Sequence, residues 1–158
     1  MESRFPKMKG KASRKLDLQR SVVVLLNFLS NRLTASGSAI YRAKFGLSIM
    51  EFRLLVMLAS EPDIPPARIC EVMGLDMGAV SRGLRALQER KLVLNRSDAR
   101  HPSYRLWSLT VAGARLQDEA VLVALERDSI LLEDIAEQER DLLISILRRM
   151  LARVDGLG

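Results

Sequence analysis

The chain has 158 residues, 48% of them hydrophobic, 28% charged and only 4% aromatic, which suits one cored domain built on Leu, Val, Ile, Ala and Met and excludes a chain disordered throughout. A single cysteine rules out an internal disulfide and fits a reducing compartment, and no apolar run reaches the roughly 18 residues of a membrane span. The net charge of +6 is unevenly spread: residues 1–20 carry seven basic and two acidic side chains, residues 77–105 again seven and two, and residues 106–158 six and ten. Such asymmetry points to a polyanion met on one side of the molecule, with an unevenly charged solvated surface as the plain alternative.

Residues 1–15 are basic, polar and without apolar periodicity, and read as a flexible tail: either an arm that touches phosphates or a solvated terminus. Val22 to Leu26 after that basic stretch imitates a secretion signal. The helical pattern runs on past Asn27 to Leu33 without a cleavage site, so the chain reads as cytoplasmic. The first helix is expected over residues 16–44. Leu18, Val22, Leu25, Leu29 and Leu33 form one stripe, and Val23, Val24, Leu26 and Phe28 widen it beyond what one neighbour can cover. Ser36-Gly37-Ser38 is a weak point at which this helix can bend or loosen.

Ser48 and Glu51 make a capping box, and Leu47 and Phe52 occupy the positions of a hydrophobic staple, so a second helix starts here and runs to Ala59. Glu61-Pro62-Asp63 ends it. Pro65-Pro66 opens a short third helix with Ile69, Val72 and Met73 inward, Cys70 as a buried small apolar residue, and Gly74 as its stop.

Asp76 is the natural N-cap of a helix over Met77 to Arg90. Val80, Leu84 and Leu87 lie on one face of it, and Met77, Gly78, Ser81, Arg82 and Arg85 on the other. A helix presenting a hydroxyl and two guanidinium groups, held by a shorter helix through a Gly-containing turn, has the form of one that enters a DNA major groove.

Leu92-Val93-Leu94 and Tyr104 to Leu109 are strand-like and flank a polar loop over Ser97 to Ser103. Together they make a hairpin wing, with Arg96, Arg100 and Arg105 on or near it. An arginine at such a tip can enter a minor groove. Thr110 caps a helix from Val111 to Leu132, with Leu116, Ala120, Val123, Arg127 and Ile130 roughly on one face. A last helix over Glu137 to Val154 carries an amphipathic stripe, and the link at Glu133-Asp134-Ile135 makes the pair a helical hairpin. The reading is a mainly α chain with a small β-hairpin wing: a winged helix-turn-helix at 47–110, flanked by dimerisation helices at 16–44 and 111–155, within one domain over 16–158. Long apolar-faced helices at both ends are most simply explained by a homodimer.

The stretch Leu47 to Phe52, the run Asp76 to Leu87, Leu92-Val93, Arg96, Asp98, Arg100, the Leu109-Thr110-x-x-Gly113 signature and Ala136 to Arg140 stand in an order and spacing that resemble the MarR family of winged helix-turn-helix transcription regulators. The resemblance covers residues 16–155. There are three departures: Lys91 stands where members usually have glycine, His101 and Ser103 replace the second Asp and Arg of the wing pattern, and Pro65 replaces a capping Thr or Ser.

The resemblance implies a dimer on a pseudo-palindromic duplex, most simply a repressor. Its contact set is Met77, Gly78, Ala79, Ser81, Arg82 and Arg85 on the reading helix, and Arg96, Asp98, Arg100 and His101 on the wing. It also implies release by a small aromatic or anionic effector, in a pocket whose wall is expected among Phe28, Arg32, Tyr41, Phe45 and Phe52. The lone histidine, and the absence of a carboxylate pair, nucleophile elbow, phosphate loop or metal spacing, speak against an enzyme, a cofactor or a metal. A helical adaptor that binds protein through the same scaffold is the alternative. It differs in needing neither Arg82 nor Arg85.

Overall fold

The computed structural model describes residues 17–99, 101, 103–154 and 156–157. The basic tail, Leu16 and Arg100 lie outside the described residues. In order the chain forms α1 (Val22–Phe45), α2 (Ile49–Ser60), α3 (Pro66–Met73), α4 (Met77–Glu89), β1 (Val93–Ser97), β2 (Arg105–Leu109), α5 (Val111–Leu131) and α6 (Glu137–Val154). These fall into two compact units, one reaching Ile49 and the other running from Met50.

In the first unit α1 begins later than its apolar pattern suggests. Asp17 bends the chain first: its side chain accepts the Gln19 N–H at 3.0 Å and its carbonyl accepts the N–H of Arg20 and Ser21. Leu18 therefore sits in a turn and helix starts at Val22. Helix runs on through Ser36-Gly37-Ser38. Ser38 Oγ donates to the Thr34 carbonyl at 2.8 Å within an unbroken helix. Gly37 is buried, and a Cβ there would stand 3.2 Å from Ile49 Cδ1, so the missing side chain serves a close approach. Val22, Val23, Leu25, Phe28, Leu29 and Leu33 are all left exposed.

The second unit has its centre at Leu54, Leu55 and Leu58 of α2, Ile69 of α3, and Val80, Leu84 and Leu87 of α4, all shielded from solvent. A Cβ on Gly83 would overlap Leu54 Cδ1, so the absent side chain is what lets α4 lie this close to α2. In α3 the inward line runs through Ile69 and Met73. Val72 is left 48% exposed and Cys70 is half-buried, against the expectation that both turn inward. Gly74 ends α3 in the left-handed region at φ 63°, its N–H on the Cys70 carbonyl.

The hairpin is antiparallel, with Val93 opposite Leu109 and Ser97 opposite Arg105. Val93 and Trp107 turn inward and are buried, while Leu94 and Arg96 turn outward. Ile64 adds a third, one-residue rung: its N–H meets the Trp107 carbonyl at 3.3 Å and its carbonyl accepts the Trp107 N–H at 2.9 Å. Thr110 caps α5, with Oγ1 accepting the Gly113 N–H at 3.0 Å. Arg140 folds back from α6 and donates to the carbonyls of Ile135 and Leu132, closing the α5–α6 link. Of the expected α5 face, Ala120 is buried but Ile130 is 66% exposed, and α6 has no buried residue. Among the described residues no helix is long and apolar enough to cross a membrane.

Candidate nucleic-acid interface

Helix α4 is fixed at both ends. At its start Asp76 is extended (φ −75°, ψ 149°), and its Oδ1 accepts the Ala79 N–H at 2.8 Å, satisfying one of the otherwise orphaned first-turn donors. At its end Lys91 takes the left-handed conformation, φ 59°. The Lys91 N–H reaches the Gln88 carbonyl at 2.8 Å and the Leu92 N–H the Leu87 carbonyl at 2.9 Å. These two bonds make a Schellman termination, with lysine where glycine is ordinarily favoured.

With Val80, Gly83, Leu84 and Leu87 committed to the core, the rest of α4 has its outward face determined by helical geometry. Met77, Gly78, Arg82 and Arg85 are exposed there, and Ala79 and Ser81 are half-buried. Among the described residues, neither Arg82 nor Arg85 makes a hydrogen bond or ion pair. Arg82 Nη1 and Asp76 Oδ1 flank Gly78, each 3.1 Å from where a Cβ would be. The surface thus offers two guanidinium groups that no carboxylate of the described residues binds directly, a hydroxyl and a position with no side chain, which suits close approach of a polyanion backbone.

The wing is less free. Arg96 donates from Nε to Asp63 Oδ1 at 3.0 Å. That same oxygen accepts the Ser108 hydroxyl at 2.6 Å, while the Asp63 N–H donates to Ser108 Oγ at 3.1 Å. The guanidinium and the hydroxyl hold the Asp63 carboxyl below its ordinary range, and the carboxylate pushes the Arg96 guanidinium up. Asp98 is half-buried and its N–H donates to the Tyr104 carbonyl at 3.0 Å. His101 is exposed, edge-on to Tyr104 with ring centroids 5.5 Å apart. Arg105 donates to Ser97 Oγ across the hairpin at 2.9 Å. Asp63 and Ser108 carry no local signal of this role, since they meet across 45 positions of sequence.

The residues expected to wall an effector pocket go to different surroundings. Phe28 and Arg32 line a shallow groove along α1 with Leu25, Leu29 and Asn31. Tyr41 is buried and stacks on Phe45 at 6.3 Å. Phe52 lines a cleft of about 430 Å³ with Arg53, Val56, Met57, Ser60, Met73, Val121 and Ala124, between α2, the end of α3 and α5. No group of three or more His, Cys, Asp or Glu side chains suited to a metal ion occurs among the described residues.

A family profile described as MarR family matches residues 45–101, from the loop before α2 to the wing. Among solved structures, the chain is similar to a MarR/EmrR family transcriptional regulator from Acinetobacter sp. ADP1, at 31% identity and a TM-score of 0.84, covering 90% of this chain and 100% of that one. It shares its fold with the S. aureus MepR–DNA complex, at 19% identity and a TM-score of 0.74, covering 86% of this chain and 98% of that one. It also shares its fold with the PcaV transcriptional regulator from Streptomyces coelicolor in complex with its natural ligand, at 19% identity and a TM-score of 0.70, covering 87% of this chain and 96% of that one. No curated protein sequence matches the chain significantly. With six helices and a two-stranded wing among the described residues, and likeness to a family regulator over that protein's whole length, the chain belongs to the MarR family of winged-helix transcriptional regulators and is not an enzyme.

Proposed function

We propose that the chain is a sequence-specific double-stranded DNA-binding repressor that acts as a homodimer in the cytoplasm. The observation that carries this reading is the outward face of α4. Arg82 and Arg85 stand exposed and without partners among the described residues on a helix whose other face is wholly buried. The similarity in fold to a regulator solved on DNA agrees with it. Each α4 would read one half-site, with centres about 34–36 Å apart on the duplex. Guanidinium groups supply register and affinity on phosphates, and Ser81, Met77 and Ala79 approach base edges. Arg100, which lies outside the described residues, is the wing contact we assign, beside His101 and Asp98.

The dimer is supported by apolar surface with nothing over it. Phe28 on α1 is 51% exposed, Leu142 on α6 61%, and Leu151 70%. Large apolar side chains left exposed along two helices are the kind of surface that marks a protein–protein contact. For the effector, the cleft beside Phe52 is the better candidate than the groove at Phe28. Its lining is apolar save for Arg53 and Ser60, which suits a flat aromatic molecule with one anionic group. Such a molecule releases DNA only by binding better to a dimer whose helices are wrongly spaced. Repression follows where the bound duplex overlaps a promoter.

The test is the Arg82→Ala/Arg85→Ala double variant, measured on a duplex selected by the parent protein from a random pool. Removing four phosphate-facing guanidinium groups per dimer should lower the slope of log affinity against log salt by about 3.6, at roughly 0.9 per neutralised phosphate. A folded dimeric variant that keeps the parent's affinity and slope would remove α4 as the reading element. A protein that sediments as a monomer at micromolar concentration would remove the symmetric mode of binding.

A further inference from the structure

Three observations meet on the loop between α2 and α3. Asp63 holds a left-handed conformation, φ 58°, without being glycine. Its Oδ1 accepts two hydrogen bonds, one from each wing strand: Arg96 Nε of β1 at 3.0 Å and Ser108 Oγ of β2 at 2.6 Å. The loop is also tied to β2 through both Ile64–Trp107 backbone bonds. Arg96 is engaged only through Nε. Its two terminal nitrogens donate to nothing among the described residues, and the side chain is 55% exposed. A carboxylate that competed for this guanidinium would take it by the terminal fork, with two parallel bonds. Here it grips the inner nitrogen and leaves the fork outward.

We propose that Asp63 is a positioning residue for DNA binding: it holds Arg96 by Nε so that the free Nη pair is presented to a backbone phosphate beside the outer end of the wing strands. The inference rests on the DNA-binding reading above. A guanidinium fixed in one rotamer loses less freedom on binding than a free one, and its fork matches two phosphate oxygens. The strained backbone at Asp63 is maintained by the same contacts. Its N–H is on Ser108 Oγ and its oxygen takes the Ser108 hydroxyl, so the carboxylate is itself held in register with the wing.

The experiment is a double-mutant cycle on the full chain, with a mixed-sequence duplex long enough for two reading helices, in dilute buffer and over a salt series. Asp63→Gly removes the carboxylate and suits φ 58° without strain, and Asp63→Asn keeps an acceptor oxygen and also tolerates that φ. Each is made alone and with Arg96→Ala, and urea unfolding at equal protomer concentration checks the fold. We expect Arg96→Ala to lower the salt slope by about 1.8 for its two phosphate contacts per dimer. Asp63→Gly should weaken binding several-fold when Arg96 is present. With Arg96→Ala it should leave binding unchanged or strengthen it, because only removal of a negative charge near DNA remains. Asp63→Asn should stay within about twofold of the parent, since its oxygen can still accept the Arg96 Nε–H. Three results would overturn the proposal: stronger binding by Asp63→Gly with Arg96 present, an equal shift in both backgrounds, or no effect of Arg96→Ala. Failure of the parent protein to bind any duplex would strike the DNA-binding reading and not this contact.

Discussion

The sharpest test of the local architecture is Gly113→Ala. In an ordinary helix this change stabilises by about 0.5–1 kcal/mol, because glycine loses more freedom on folding than alanine. Here a Cβ would overlap the Leu92 carbonyl oxygen and lie 2.9 Å from its carbon and 3.3 Å from its Cα, where ordinary contact begins at 3.4 Å. The obstacle is backbone and cannot rotate aside. The Leu92 carbonyl is further held by the Thr110 N–H at 3.0 Å, with Thr110 Oγ1 at 3.2 Å. Overpacking of this kind costs about 1–3 kcal/mol. Parting Leu92 from Thr110 adds about 0.5–1.5 kcal/mol per bond. Net of the helix gain, the variant should lose about 3 kcal/mol, a fall in Tm on the order of 6–12 °C for a chain of this size. The assay is urea unfolding followed by fluorescence of Trp107, the single tryptophan, at fixed protomer concentration because a dimer's stability depends on it. Gly78→Ala is the comparison. There a Cβ meets side-chain ends and no backbone, Arg82 Nη1 and the capping Asp76 Oδ1, each at 3.1 Å, so its cost is limited to what moving the cap costs and should be well below that of Gly113→Ala. If Gly113→Ala cost no more than Gly78→Ala, the close approach of α5 to Leu92 would be wrong.

Lys91→Gly should raise stability on the order of 1 kcal/mol in the same urea assay, by relieving a non-glycine residue at φ 59°; a loss would mean that the lysine side chain has a structural part of its own. Hydrogen bonds from Arg96 to Asp63 and from Arg68 to Glu61 hold both carboxyls below their ordinary values of 3.8 and 4.5. A lowered folded pKa contributes stability that is complete above the ordinary value and is lost as pH falls through the folded one. The urea midpoint of the parent should therefore drop more steeply below about pH 4.5 than that of an Asp63→Asn/Glu61→Gln variant, and parallel curves would show that neither pair matters to folding.

Much of this is legible in the sequence because it is local. The Asp76 cap with its Ala79 N–H, the Thr110 cap with Gly113, the stop at Gly74 and the stripe Val80, Leu84 and Leu87 each depend on residues within one or two helical turns. Lys91 is legible as a dilemma, a helix end without glycine, and it is met by the left-handed conformation. What cannot be read involves distant partners or backbone approach. Gly83 looks like a weak helix residue until Leu54 is laid against it. The Ile64–Trp107 rung is one residue long and has no period to detect. Arg96 is legible as a wing arginine, but Asp63 finds it across 33 positions and nothing in the neighbourhood of Asp63 announces the contact. The late start of α1 follows from a side-chain bond at Asp17, which competes with helix where apolar spacing alone would continue it.

Leu92 shows how the reading helix is joined to the rest of its unit. Its N–H closes the last turn of α4 on the Leu87 carbonyl at 2.9 Å, and its own carbonyl accepts the first N–H before α5, that of Thr110, at 3.0 Å. The Thr110 hydroxyl lies 2.8 Å from the Lys91 carbonyl, so the two residues that end α4 are the two that receive α5. Gly113 then lets α5 come down onto this joint without a side chain between. One peptide unit thus carries the end of α4, the start of β1 and the seat of α5. No flexible segment intervenes to take up a displacement of one against another. A rotation of α5 about its first turn must either break the Thr110 bonds or carry α4 with it. A helix whose outward arginines must match fixed phosphates is best held in this way, because a shift at α5 then becomes a shift of the whole reading face and is not absorbed at the joint.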